Sequence, residues 1–120
     1  MRSPVPQEVS DELRRVVERW RQLPLDHALS RMPLTSALVQ QLADRVAGLR
    51  GRPAQPVPDL GPAVVMDQLA VMVFDLYATA PDAEATELVS ALSGIRRSLS
   101  ARNTPGNATL PPEIPGGSLR

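Results

Sequence analysis

The chain carries few side chains capable of nucleophilic, acid–base or metal chemistry. Its only histidine is His27, and it has no cysteine, which excludes disulfides, thiolate nucleophiles and cysteine-ligated metal sites. A Ser-His-acid triad would need His27 itself, and one histidine without cysteine is a poor ligand set for a transition metal. No glycine-rich phosphate loop, His-Glu-x-x-His or calcium-loop pattern is present. We therefore interpret His27 as an exposed surface residue and predict no catalytic residue, no cofactor and no metal site.

Two carboxylates, Asp67 and Asp75, stand on the most apolar segment of the chain, residues 62–80. Eight residues apart on a helix, they lie about 80° from each other and share one side. Paired carboxylates can bind a cation or act in acid–base catalysis. However, no third carboxylate follows at helical spacing, and Gln68 and Thr79 occupy the same side. We expect a narrow solvent stripe, or a face that meets an arginine from another helix.

Basic and acidic residues are balanced at 13 each, so the net charge gives no attraction to nucleic acid or membranes. Arginines near the N-terminus alternate with Glu12 and Glu18, which is typical of a solvated helix face with i, i+4 pairs. Two short helices predicted over residues 25–32 and 35–49 leave a helix-turn-helix interpretation open. The second of them offers Gln40 near its start but no phosphate-binding basic cluster. A DNA-binding regulator is therefore the alternative function, and nucleic acid is not the expected partner.

Thirteen prolines separate segments in which apolar residues recur at helical spacing. Trp20 and Leu92 stand in the middle of two such apolar stripes, so we expect both in the core. Thr79 and Asp82 have the spacing of a capping box for the last helix. No alternating pattern predicts a strand. The predicted helices are four main segments and one short segment: residues 7–23, 25–32, 35–49, 62–80 and 82–102.

Proline-rich stretches interrupt and follow these helices. Residues 50–61 hold three prolines, which forbids a regular helix and favours a stiff extended spacer between two helical halves. Residues 103–120 hold four prolines and three glycines, a composition that predicts disorder. The fold class predicted is all-α: a compact helical bundle over residues 1–102, with four main helices or five with the short one.

The helix predicted over residues 62–80 carries the functional hypothesis. Its apolar side chains spread over about 200°, whereas a helix on one side of a core needs about 100°. In a small bundle, part of this face would stay open, and exposed apolar patches mark association sites. We therefore expect a non-enzymatic interaction or dimerisation module whose partner is a second copy or another protein. The candidate interface residues are Met66, Val73, Phe74 and Tyr77. Since no apolar leader or membrane span is visible, the expected location is the cytoplasm, away from membranes.

Overall fold

A computed structural model describes residues 3–101, and the disordered tail predicted for residues 103–120 lies outside them. Its four helices are α1 (Gln7–Arg21), α2 (Leu25–Leu49), α3 (Val65–Thr79) and α4 (Ala85–Ser100). The all-α prediction is confirmed, and the described residues form no strand. The helix α1 packs mainly against α4, and α2 mainly against α3, with smaller contacts between α2 and α4 and between α1 and α3.

The core is built mainly from aliphatic side chains, and all four helices contribute to it. Trp20 and Leu92 are 6% and 0% exposed, which confirms both as core residues. The indole Nε1 of Trp20 donates to the carbonyl oxygen of Pro62 at 2.9 Å, so the end of α1 is tied to the segment before α3. The buried apolar residues are Val9, Val16, Trp20, Ala28, Leu38, Val39, Leu42, Val46, Val65, Met66, Leu69, Val73, Leu76, Tyr77, Leu88, Leu92, Ile95 and Leu99.

The break predicted between residues 25–32 and 35–49 is wrong, because α2 is one helix with Pro33 inside it. Proline removes one backbone donor and crowds the preceding turn. Burial on both sides of Pro33 outweighs this local cost, since Ala28 and Leu38 both lie in the core. The buried hydroxyl of Thr35 also donates to the carbonyl oxygen of Arg31 at 3.0 Å. The helix-turn-helix interpretation thereby loses the turn that it requires.

The C-terminal end of α2 and the N-terminal start of α4 show which local interactions fix a helix boundary. Beyond α2, Gly51 adopts a positive φ of 67°, and the Arg52 N–H donates to the carbonyl oxygen of Ala47 at 2.8 Å, as in a Schellman ending. The capping box predicted from Thr79 to Asp82 is wrong. Residues 80–83 form a turn instead, and the carboxylate of Glu84 caps α4 by accepting from the Thr86 N–H at 3.0 Å.

A proline-rich return segment, residues 52–61, connects α2 to α3 without helix or strand; we call it the strap. Val39 and Val65 line one groove near the start of α3, whereas Arg50 Nε donates to Thr79 Oγ1 at 3.0 Å at its end. These contacts show that α2 and α3 run in the same direction, so the strap runs back along α2. The predicted linker therefore lies on the bundle and does not hold two halves apart.

Candidate interaction surface on helix α3

One side of α3 faces solvent with mainly apolar residues. Val71 and Phe74 are 52% and 49% exposed, and Asp67 and Ala78 are exposed beside them. Their spacing of four, three and four residues places all four on one side of the helix. Asp67 is the single charged member of this set, which we call the α3 outer face. A surface helix usually turns polar residues outward, so this face differs from an ordinary solvated surface.

The structure separates the four predicted interface residues. Phe74 lies on the α3 outer face, but Met66, Val73 and Tyr77 are 6%, 0% and 0% exposed. Because α1 and α2 both contact α3, they enclose most of its broad apolar arc within one chain. Of the four predicted residues, only Phe74 is therefore accessible to a partner, and Val71, which the prediction omitted, is exposed beside it.

The polar stripe of α3 is half-buried against other parts of the chain. Gln68, Asp75 and Thr79 are all partly covered. Thr79 accepts the bond from Arg50, and Asp75 lines a cleft that also contains Arg50 and Arg52. The stripe therefore matches the expectation of a face that meets an arginine. Asp67 is the exception, because it remains exposed.

Glutamine side chains from two helices hold the strap beside the α3 outer face. Gln40 on α2 donates from Nε2 to the carbonyl oxygen of Gln55 at 2.9 Å, and its Oε1 accepts from the Val57 N–H at 2.8 Å. Gln68 on α3 donates to the carbonyl oxygen of Pro58 at 3.0 Å. Both sides of the strap are thereby fixed by amides that satisfy an extended backbone.

A shallow apolar groove of about 440 Å³ runs between the strap and α3. Pro56, Pro58, Val71 and Met72 are among its lining residues. Since Val71 also belongs to the α3 outer face, the groove and that face form one continuous surface. The apolar area available to a partner therefore extends from Phe74 across to the strap prolines.

Glu12 is a buried carboxylate that the sequence interpretation placed on a solvated face. It is 4% exposed, and it accepts from Arg15 Nη1 at 3.1 Å and from Arg96 Nε at 2.5 Å. Burial raises the pKa of Glu12, but the hydrogen bonds from Arg96 and Arg15 and the charge of Arg96 outweigh burial and hold that pKa below its ordinary value. The sequence does contain a sign of this burial. Glu12 is three residues after Val9 and four before Val16, and these intervals place it on the buried stripe of α1.

His27 is half-buried, not exposed as predicted, because it lies in the first turn of α2 next to the buried Ala28. Its Nε2 is shielded from solvent and has no hydrogen-bond partner among the described residues. Its backbone N–H donates to Asp26 Oδ1 at 2.9 Å, and its carbonyl oxygen accepts from the Ser30 hydroxyl at 2.6 Å. Within residues 3–101, no three histidine, aspartate or glutamate side chains come close enough to hold a metal ion.

Among the described residues, no helix combines the length and the apolar character that a membrane span requires. Compared with known proteins, the chain matches no family model, no curated protein and no solved structure.

Proposed function

We propose that this protein is a small non-enzymatic interaction module that self-associates through the α3 outer face. The single observation that carries the proposal is the pair of half-exposed residues Val71 and Phe74 on one side of a helix. Val71 also lines the strap groove, so Phe74, Val71 and the groove form one contiguous apolar surface and not a scatter of single residues. Contiguous apolar patches of this kind mark association sites. The cytoplasmic location remains a prediction from the sequence.

The expected affinity follows from the area still exposed. Full burial of a Val or Phe side chain contributes about 1.5–3 kcal/mol, and Val71 and Phe74 are each already half-covered within one chain. Two copies would bury four such half-exposed side chains, which contributes about 3–6 kcal/mol before the costs of association. A micromolar dissociation constant requires about 8 kcal/mol. Because these four side chains alone fall short of that value, we expect a weak dimer whose affinity also depends on burial of the apolar strap groove.

Sedimentation equilibrium over about 1 µM to 1 mM protein tests the proposal. The weight-average mass should rise from the monomer value of 13.0 kDa towards twice that value. Phe74→Glu should keep the protein monomeric, because it would place a charge in the centre of the buried face. Leu34→Glu is the matched control: Leu34 is 46% exposed but lies on α2, away from the α3 outer face.

Three results would contradict self-association through α3. A 13.0 kDa monomer at every concentration would exclude the homodimer. A dimer that Phe74→Glu leaves intact would place the interface elsewhere. A dimer weakened equally by Leu34→Glu and Phe74→Glu would show a general effect of added charge. In each case circular dichroism must first show that the variant keeps its helical content.

A further inference from the structure

The first turns of α2 expose two leucines, and the end of the strap exposes a third. Leu25 and Leu29 are 66% and 50% exposed, and their spacing of four residues places them on one side of α2. Leu60 is 56% exposed. Each of these side chains therefore leaves half or more of its surface uncovered within one chain.

Two grooves connect these leucines into one surface. Leu29 and Asp59 line a groove of about 500 Å³, and Leu25 and Pro62 line a second groove of about 430 Å³. Leu60 lies in the chain between Asp59 and Pro62, so the strap passes from one groove to the other through this residue. We call Leu25, Leu29 and Leu60 the leucine patch.

Carboxylates outnumber guanidinium groups around the leucine patch. The charged residues that line the two grooves are Asp59, Asp67 and Arg21, and Asp26 is exposed in the first turn of α2. None of the three carboxylates forms an ion pair with a described residue. Arg31, the first arginine of α2, does not offset them, because it is bound to the end of α4.

We propose that the leucine patch binds an amphipathic helix of another protein, with aliphatic residues on the side that meets the patch and arginine or lysine at its flanks. Helices dock in apolar grooves through aliphatic residues one turn apart, which is the spacing that Leu25 and Leu29 offer. The three carboxylates attract cationic flanks and repel acidic ones. This surface is additional to the α3 outer face, and its binding does not depend on self-association.

A helix fits this surface better than an extended peptide does. An extended peptide gains affinity from backbone hydrogen bonds to a sheet edge, and residues 3–101 form no strand. The amides of Gln40 and Gln68 bind extended backbone, but the strap already occupies them. A helix satisfies its own backbone groups, so it needs only the side-chain contacts that the leucine patch provides.

The same carboxylates oppose two other occupants. In a two-fold contact between copies, one patch meets the same patch, so Asp26, Asp59 and Asp67 of one copy would approach those of the other. Like charges across an interface oppose association. An anionic lipid surface attracts basic segments, and the carboxylates around the patch would meet it with repulsion. A basic amphipathic helix is the occupant whose charge matches this surface.

Peptide display tests which chemistry the leucine patch selects. A library of random peptides of about 15 residues, long enough for four helical turns, is selected on the wild-type protein and counter-selected on Leu29→Glu. Enriched peptides should carry aliphatic residues at i, i+3, i+4 and i+7 and more arginine and lysine than acidic residues. Leu34→Glu is the matched control, because Leu34 is a 46% exposed leucine of the same helix that lines neither groove. It should still bind these peptides.

Failure of the selection would overturn the inference. This holds if no peptide separates wild type from Leu29→Glu, or if the enriched peptides are neutral or acidic. Leu25→Ser is a second, milder variant and should also weaken binding. Circular dichroism must first show that each variant keeps its helical content.

Neutral substitutions test the carboxylates with one enriched peptide, made synthetically and measured by fluorescence anisotropy. Asp59→Asn and Asp67→Asn should each raise the dissociation constant about twofold to fivefold, and Arg21→Gln should lower it by a similar factor. Asparagine at position 59 keeps an acceptor for the Gly61 N–H. Added salt should weaken binding to the wild-type protein, because these charges are exposed. Unchanged or tighter binding by both asparagine variants would overturn the basic partner.

Sedimentation and vesicle binding separate this surface from the other occupants. Leu29→Glu should sediment like the wild-type protein, whereas Phe74→Glu should keep peptide binding unchanged. A dimer that Leu29→Glu abolishes would make the leucine patch an interface between copies. Co-sedimentation of the wild-type protein, but not of Leu29→Glu, with phosphatidylserine-containing vesicles would make it a lipid-binding surface. Either result would overturn the inference, whereas a wild-type monomer at every concentration would reject only the proposed self-association.

Discussion

Replacing Glu12 by glutamine probes the polar link between α1 and α4. The Glu12 carboxylate is 4% exposed and receives hydrogen bonds from Arg15 of its own helix and Arg96 of α4. Glutamine has nearly the same shape but loses the charge and one acceptor oxygen. The substitution therefore tests the ionic contribution with little change in packing.

The expected loss is about 1–3 kcal/mol of unfolding free energy at pH 7. Hydrogen bonds to charged groups contribute about 1.5–3 kcal/mol each. The side chains of Arg15 and Arg96 are 54% and 39% exposed, so each regains water when its partner is removed, and one acceptor remains in glutamine. These effects keep the loss below the 3–5 kcal/mol expected when a fully buried pair is broken.

The same contact gives a pH dependence of defined sign. The pKa of Glu12 lies below its ordinary value of 4.5 in the folded protein, so folding favours the charged form. Its stabilising contribution is therefore complete at neutral pH and is lost as the pH falls below about 4.5 and through the folded value. Since Glu12→Gln lacks this titration, the stability difference between the two proteins should shrink in acid.

Urea unfolding at pH 7 and pH 3 measures both effects. The single tryptophan, Trp20, is buried and reports on packing between α1 and the segment before α3. Glu18→Gln is the control, because Glu18 is an exposed carboxylate on the same helix. A loss below about 0.5 kcal/mol at pH 7, or a difference that does not change with pH, would refute the ionic link.

Three further substitutions test other parts of the fold. Pro33→Ala should stabilise the protein by about 1–3 kcal/mol in thermal or urea unfolding, because it restores a donor inside the continuous α2; a loss of stability would favour two separate helices. Tyr77→Phe should be neutral or stabilising by about 1 kcal/mol, because the buried hydroxyl has no partner among the described residues. A clear loss would reveal a bonded water or group at that hydroxyl. Gln40→Ala should cost about 1–2 kcal/mol and speed amide exchange at Val57, whose N–H donates to Gln40. Gln41→Ala, at an exposed neighbouring position, should leave that exchange rate unchanged.

The helical spacing of apolar residues predicted the helices well, because that spacing follows directly from which side of a helix is buried. The apolar stripes placed α1, α3 and α4 within three residues of their observed starts, and they placed Trp20 and Leu92 in the core.

Local helix propensity gave a wrong prediction at Pro33, where tertiary packing overrides it. Pro33 ends a helix locally, yet Ala28 and Leu38 on its two sides are both buried, and their packing keeps α2 continuous.

Residue type predicts the wrong environment where a polar side chain has a specific partner in the fold. Glu12 has the spacing of a core residue but the chemistry of a surface one, and only the fold brings Arg96 to it. Such a long-range pair cannot be read from one helix, because its two members are 84 residues apart. The spacing of Glu12 marks a buried position, but its residue type predicted a solvated face, and only the tertiary structure supplies the reason for a charge there.

The orientation of α3 shows why the candidate surface was only partly predictable. Hydrophobicity alone would turn the polar side of α3, which carries Gln68, Asp75 and Thr79, towards solvent. It would turn Val71 and Phe74 towards the core. The strap and the end of α2 instead cover the polar side of α3. Gln68 donates a hydrogen bond to Pro58 of the strap, and Arg50 donates one to Thr79. Because a helix has a fixed angular spacing, covering its polar side with these partners leaves some of its apolar residues uncovered. The exposed Val71 and Phe74 are thus the geometric consequence of the strap, and a second copy that covers them would complete the burial that one chain leaves unfinished.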